Sequence, residues 1–225
     1  MERNSVTGLT TCRSGVANNI RIGKNWLVHF LQSSLEIRNP LDEYSLITFN
    51  TKIDLVKAFT EDSGNVDYEI ALQEPGGFTA LYDAVYRGLD HLKQARNEKK
   101  ALILISDGED NSSRYTFSDV RELSRECDVQ IYGIGFGGPE GYGHSAITNL
   151  VSLSGGRAFF SRLEDIGYYF ALIHAELRSQ YLLGYVPSNR EHNGQWRQIK
   201  VKLDPPKGLP KLSVKAKGGY YAPKP

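Results

Sequence analysis

Two short runs, ALILIS at 101–106 and VQIYGIGF at 129–136, are apolar at odd and even positions alike. A strand with one wet face alternates polar and apolar side chains, so runs without that alternation fit strands covered on both faces. Between them, residues 116–126 carry a helical pattern. Strand, helix and buried strand in that order describe a crossover in a parallel sheet.

The remaining sequence extends the same alternation. IRIGKNWLVHFLQSSL at 20–35 places Ile20, Trp26, Leu27, Phe30 and Leu31 near one helical face, and DEYSLITFNTKIDLVKAFT at 42–60 reads as two strands around a turn near Asn50. In GGFTALYDAVYRGLDHLKQA, the positions Leu81, Ala84, Val85, Gly88, Leu89 and Leu92 recur at helical spacing, which predicts a helix beginning near Thr79 after the Gly76–Gly77 loop. SAITNLVSLSGG, RAFFS and LEDIGYYFALIHAEL add helix, strand and helix. Residues 1–178 are therefore expected to form a doubly wound, mostly parallel α/β sheet with helices on both faces. Residues 179–225 differ. QYLLGYVP, QWRQIKVKL and KLSVKAKGGYYA are strand-like runs separated by Asn, Gly and Pro clusters, and they predict an antiparallel β extension packed on the α/β domain through Leu182, Leu183, Tyr185, Trp196, Ile199, Val201, Leu212, Val214, Tyr220 and Tyr221.

With 225 residues, 40% of them hydrophobic, the chain can bury a full core. A net charge of +1 gives no overall field to recruit nucleic acid or an anionic membrane. The apolar runs are too short for membrane insertion, and residues 1–20 lack the apolar middle of a signal peptide. Cys12 and Cys127 have no metal or redox spacing and read as packing residues.

In an open α/β sheet, ligands sit beyond the carboxyl ends of strands where the chain order reverses. The run LILISDGEDNSS ends such a strand in Asp107, Gly108, Glu109 and Asp110, and the loop bearing Thr79 ends at the same side. A carboxylate and a hydroxyl from separate loops suit a hard, oxygen-seeking cation that keeps several waters.

LISDGED and GGFTALYDAV resemble the strand-to-acid turn and the glycine-rich threonine loop of the von Willebrand factor type A family, and the tail from GGRAFFS to GGYYAP is similar to a bacterial subgroup of A-related domains with a β-rich extension. The resemblance implies a Rossmann-like A-type fold and a protein-binding, adhesion-type module without enzymatic activity. It also implies an extracytoplasmic or secreted location for a fuller form of the chain. In the family, a metal-ion-dependent adhesion site takes an Asp-x-Ser-x-Ser motif after the first strand, a Thr from the second loop and an Asp from the third. Thr79 matches the Thr and Asp107 the Asp. The first motif falls within TTCRSGV, where one register offers Thr11, Arg13 and Gly15 and the next offers Thr10, Cys12 and Ser14, neither with the leading aspartate. The implied metal ligands are thus Thr79, Asp107 and Ser14, with Mg²⁺ or Mn²⁺ binding weak or lost. The partner rim comprises Asp110, Asn111 and His144. The run SVTGLTT is a poor central strand, and an altered or truncated N-terminus is the expectation that follows.

Plainer roles exist for the same residues. Thr79 would serve as helix N-cap, Asp107 would close a turn onto Gly108, and Glu109, Asp110 and Asn111 would form a solvated rim. Two other functions compete: a metal-free scaffold with purely protein–protein contacts, and a metal-assisted hydrolase with Asp107 and Asp110 as ligands, for which the sequence offers no paired nucleophile and base. GIGFGG at 133–138 does not run into a helix at nucleotide-binding spacing. His29, His91 and His174 read as structural helix residues, and the tail lysines as a solvated face.

Overall fold

A computed structural model describes residues 5–12, 42–62, 68–69, 72, 77–136, 143–161, 166–181, 183–205, 207–208, 212 and 214–225. Their elements are β1 (Ser5–Cys12), β2 (Glu43–Phe49), β3 (Ile53–Thr60), α1 (Leu81–Lys93), β4 (Lys99–Ser106), α2 (Phe117–Glu126), β5 (Val129–Phe136), α3 (His144–Ser152), β6 (Ala158–Ser161), α4 (Ile166–Arg178), β7 (Trp196–Gln198) and β8 (Gly219–Tyr221). The first six strands form one sheet in the order β3-β2-β1-β4-β5-β6. All neighbours are parallel except β2 and β3, the hairpin expected around Asn50. The helix expected at 20–35 lies outside the described residues.

The both-face burial of β4 has a direct structural counterpart. Leu102 and Leu104 join Leu81, Leu89, Val120, Ile131 and Ile147 under α1, α2 and α3. Ala101, Ile103 and Ile105 join Leu46, Tyr132, Ile134, Ile173 and Leu177 on the face covered by α4. α1 buries Leu81, Ala84, Val85, Gly88, Leu89 and Leu92, the face read from its spacing. α3 lies close against β5 because Gly133 has no side chain there: a Cβ on it would run into Ile147 of α3, while one on Gly135 would run into Phe160 of the neighbouring β6. Gly133 thus serves helix–sheet packing and Gly135 makes room for the Phe160 ring. α2 opens on a capping box, with Thr116 and Asp119 exchanging side-chain and backbone hydrogen bonds.

SVTGLTT, poor as its composition is, occupies the centre of the sheet. β1 pairs with β2 from Val6↔Glu43 to Cys12↔Phe49 and with β4 from Ser5↔Lys99 to Thr11↔Ile105. Backbone pairing on both sides is independent of side-chain size, which is why strand propensity yields to position here.

The extension departs from expectation. Among its described residues the strands are the short antiparallel pair β7 and β8, and the described residues of QYLLGYVP contain no strand. Leu183, Tyr185, Val201, Leu212 and Val214 were expected to pack but are exposed, Leu183 at 70% and Tyr185 at 58%. The attachment is made by polar and aromatic groups. The Tyr221 hydroxyl donates to Glu122 at 2.6 Å, the Arg125 guanidinium lies 4.8 Å from the Trp196 ring centre, and Lys217 donates to the Cys127 carbonyl at 2.9 Å and pairs with Asp128 at 2.8 Å. Lys217 is thus a tether and not part of a solvated face.

Candidate functional site

The β1–β4 boundary is where the order of the sheet reverses, since the chain runs from β1 outward to β2 and from β4 outward to β5 and β6. Cys12 ends β1 opposite Phe49, and Thr11 pairs with Ile105, so the carboxyl ends of β1, β2 and β4 open at one edge. Asp107 stands there, one residue beyond β4. Ser14 lies outside the described residues.

The 107–115 loop is folded over the start of α1. The Thr79 amide donates to Asn111 Oδ1 at 2.7 Å, and the amides of Asn111 and Ser112 donate to the Thr79 carbonyl at 3.0 and 3.1 Å. The Leu81 amide donates to Asp110 Oδ1 at 2.8 Å, and the Ser113 hydroxyl donates to the same oxygen at 2.5 Å. The helix begins at Leu81, with Ala80 as its N-cap residue and no side-chain cap of its own. Thr79 is therefore not the N-cap. The Leu81 amide at the start of the first turn is instead capped from another loop, 29 residues away, by Asp110.

Asp83 completes this junction and was missed in the sequence. Only 4% exposed, it accepts the Arg114 and Tyr115 amides at 2.8 and 2.7 Å, while its own amide donates to Ser113 Oγ at 3.1 Å. An aspartate inside the apolar face Leu81, Ala84, Val85 was the available signal, because a buried carboxylate demands partners. The other flank of Thr79 is held by the β2–β3 turn, with the Ala80 amide on the Asn50 carbonyl at 2.9 Å and the Phe78 amide on Thr51 Oγ1 at 3.0 Å.

Asp107 does make the turn expected of an Asp-Gly pair. The Glu109 amide donates to Asp107 Oδ1 at 3.3 Å, the Gly108 amide donates to the buried Ser106 hydroxyl at 3.1 Å, and Gly108 takes φ +83°. That conformation favours glycine, and space requires it too: a Cβ on Gly108 would collide with the Gly143 carbonyl. Gly143 precedes α3, so His144 starts a helix against this same turn. Its ring stacks on Phe160 with centroids 4.0 Å apart, and its Nε2 is buried without a partner among the described residues. Burial pushes the Asp107 carboxyl above the usual carboxylate range, opposed by the Glu109 amide hydrogen bond and aided by the Glu109 charge. Burial, followed by Asp110, raises the Tyr82 phenol.

As a cation site this donor set is thin. Asp107 supplies a carboxylate, and the 3%-exposed Thr79 is the hydroxyl-bearing residue of the facing loop. Asp110 and Asn111 direct an oxygen each to backbone amides. No group of three His, Cys, Asp or Glu side chains suited to a metal occurs among the described residues.

The family model for the von Willebrand factor type A domain matches residues 18–168, from the residues after β1 into α4. Protein NorD of Brucella suis biovar 1 is 30% identical over 98 residues, a stretch covering 38% of this chain and 16% of NorD. Two solved structures share the fold: the vWF domain of the type V pili tip protein Mfa5 from Porphyromonas gingivalis, with TM-score 0.66, 10% identity and coverage of 84% of this chain and 100% of that one, and the PilB minor pilin from Streptococcus sanguinis, with TM-score 0.65, 15% identity and coverage of 79% and 62%. With two thirds of its length matched by the family model, and with an acid turn and a threonine loop joined at the switch point of its sheet, the chain belongs to the von Willebrand factor type A domain family.

Proposed function

We infer that the chain is a non-enzymatic, protein-binding module of adhesion type whose partner docks on the rim of Asp110, Asn111 and His144 beside Thr79 and Asp107. The observation that carries this reading is the Thr79–Asn111 junction, which presents two loops as one rigid surface at the switch point. Thr79, Asp107 and Ser14 remain the cation ligands of a degenerate site that binds Mg²⁺ or Mn²⁺ weakly. Residues 179–225 form an extension attached to the 1–178 domain, and an extracytoplasmic location accords with the pilus proteins among the structural relatives. Among the described residues no helix is long and apolar enough to cross a membrane.

The test is a pull-down from surface-protein extracts with wild type and Asp107→Ala in parallel, followed by titration of the purified hit. A partner held by wild type and lost by Asp107→Ala supports the reading; equal retention by both sinks it. A second reading, the metal-free scaffold, is favoured by the absence of a leading aspartate in TTCRSGV. Under it, binding survives chelation of divalent ions.

A further inference from the structure

The near-neutral total charge conceals two opposite ends. Residues 181–225 hold nine of the 27 lysines and arginines but two of the 26 aspartates and glutamates, a balance of +7 that leaves −6 on residues 1–180. The extension is also where apolar side chains lie open: Leu183, Tyr185, Val186 and Leu203 are 70%, 58%, 76% and 51% exposed, and Lys200 and Lys202 beside Leu203 are exposed as well. Its anchors are Glu122 and Arg125 late in α2, Asp128 before β5, and the Lys99–Gln180 bond at the start of β4. All of these mark the amino ends of the parallel strands. The Thr79–Asp107 edge is at their carboxyl ends, about 25 Å away along an eight-residue strand.

That far edge has the complementary character. Phe78, 66% exposed, precedes Thr79, and Tyr115, 40% exposed, ends the loop that bears the exposed Glu109 and Asp110. We propose that copies of this chain associate head to tail, the lysine- and apolar-rich extension of one copy docking on the acidic, aromatic edge of the next. The proposal takes the edge to be a protein-docking face, as above, and names its occupant. An anionic lipid surface would suit the extension alone and leave Phe78 and Tyr115 open, whereas a second copy covers both patches in one contact. An ammonium group from the extension also supplies positive charge beside Asp107 and Glu109 in a chain without the Asp-x-Ser-x-Ser loop. Each copy spends its two ends on different neighbours, so the contact is heterologous and propagates.

Sedimentation velocity on the full chain decides the matter, using wild type, Lys200→Glu/Lys202→Glu and Phe78→Ser/Glu109→Lys, all at exposed side chains. Thermal melts within about 2 °C of wild type establish that each variant is folded. Wild type should self-associate up to about 200 μM at low salt and dissociate near 0.5 M NaCl, and each variant should lose association at least about tenfold. Mixed, the two variants retain one intact end each and should form a dimer that stops at one to one. Wild type that stays monomeric overturns the proposal, whether or not it binds phosphatidylglycerol vesicles, and leaves the edge free for another protein. Association lost only in the Phe78/Glu109 variant overturns the extension as occupant and keeps the edge as a docking face. Association lost only in the lysine variant, or in neither, overturns the proposal, because copies then meet through surfaces other than this edge, and the docking role of the edge rests on the Asp107→Ala comparison alone.

Discussion

Thr79 and Asn111 hold each other from both sides: the Thr79 amide donates to Asn111 Oδ1 at 2.7 Å, and the Asn111 amide donates to the Thr79 carbonyl at 3.0 Å. The side-chain half of this exchange is replaceable without disturbing the main-chain half. Asn111→Ala leaves the part-buried Thr79 amide without its acceptor, a loss of about 1–3 kcal/mol. The melting temperature should fall by roughly 2–10 °C. Asn111→Asp keeps the acceptor and should recover most of the loss; equal destabilisation by Ala and Asp would show that the oxygen is not what matters.

Divalent metal should barely move the wild-type melt. A ligand stabilises by RT ln(1 + [L]/Kd), so about 1 mM Mg²⁺ against a site weaker than that adds well under 1 kcal/mol. Thr10→Asp combined with Cys12→Ser, in the register that already holds Ser14, supplies the missing motif and should give a saturable heat of Mg²⁺ binding by calorimetry. A saturable wild-type response that disappears in Asp107→Ala contradicts the weak-site reading.

The raised Asp107 carboxyl sets a pH dependence with a definite sign. Burial raises its folded-state pKa above the unfolded value, so the native state holds this proton more tightly. Ionised Asp107 therefore opposes folding above its folded pKa, and the opposition fades as pH falls from that folded pKa towards the ordinary carboxylate value near 4, below which it is absent. Asp107→Asn retains an oxygen for the Glu109 amide and loses the charge. Its melting temperature should equal or exceed that of wild type at pH 7, with the difference vanishing near pH 4. A variant less stable at neutral pH would mean that the carboxylate is compensated by a partner.

What was legible in the sequence follows from period and position. ALILIS announced a strand buried on both faces, and the Leu81–Leu92 spacing announced the face of α1, because burial forces those patterns on the chain. The acid turn was legible because it sits at the end of such a strand. Asp83, by contrast, gains its role from the amides of Arg114 and Tyr115, about thirty residues away, and Asp110 caps a helix it precedes nowhere in the chain. No local pattern encodes a partner at that separation. In the extension, alternation in RQIKVKL signalled a face but not whether this chain covers it, and Val201 and Leu203 remain exposed.

The attachment of the extension yields a comparison between two kinds of side chain. Trp196 is partly buried, lies under Arg125 at 4.8 Å and meets Tyr221 at 5.1 Å, and Tyr221 in turn donates to Glu122. Leu203 is 51% exposed, so truncating it removes little packing. Leu203→Ala should therefore shift stability by no more than about 0.5 kcal/mol, as surface changes do. Trp196→Ala, which removes an aromatic contact and a cation–π contact together, should cost about 1–3 kcal/mol. The same substitution should speed tryptic cleavage after Arg178 severalfold, since the extension then loses its hold on α2. If Trp196→Ala and Leu203→Ala prove equally mild, and the fragment ending at Arg178 melts like the whole chain, then residues 179–225 are a separable appendage and the attachment through α2 contributes nothing to the fold.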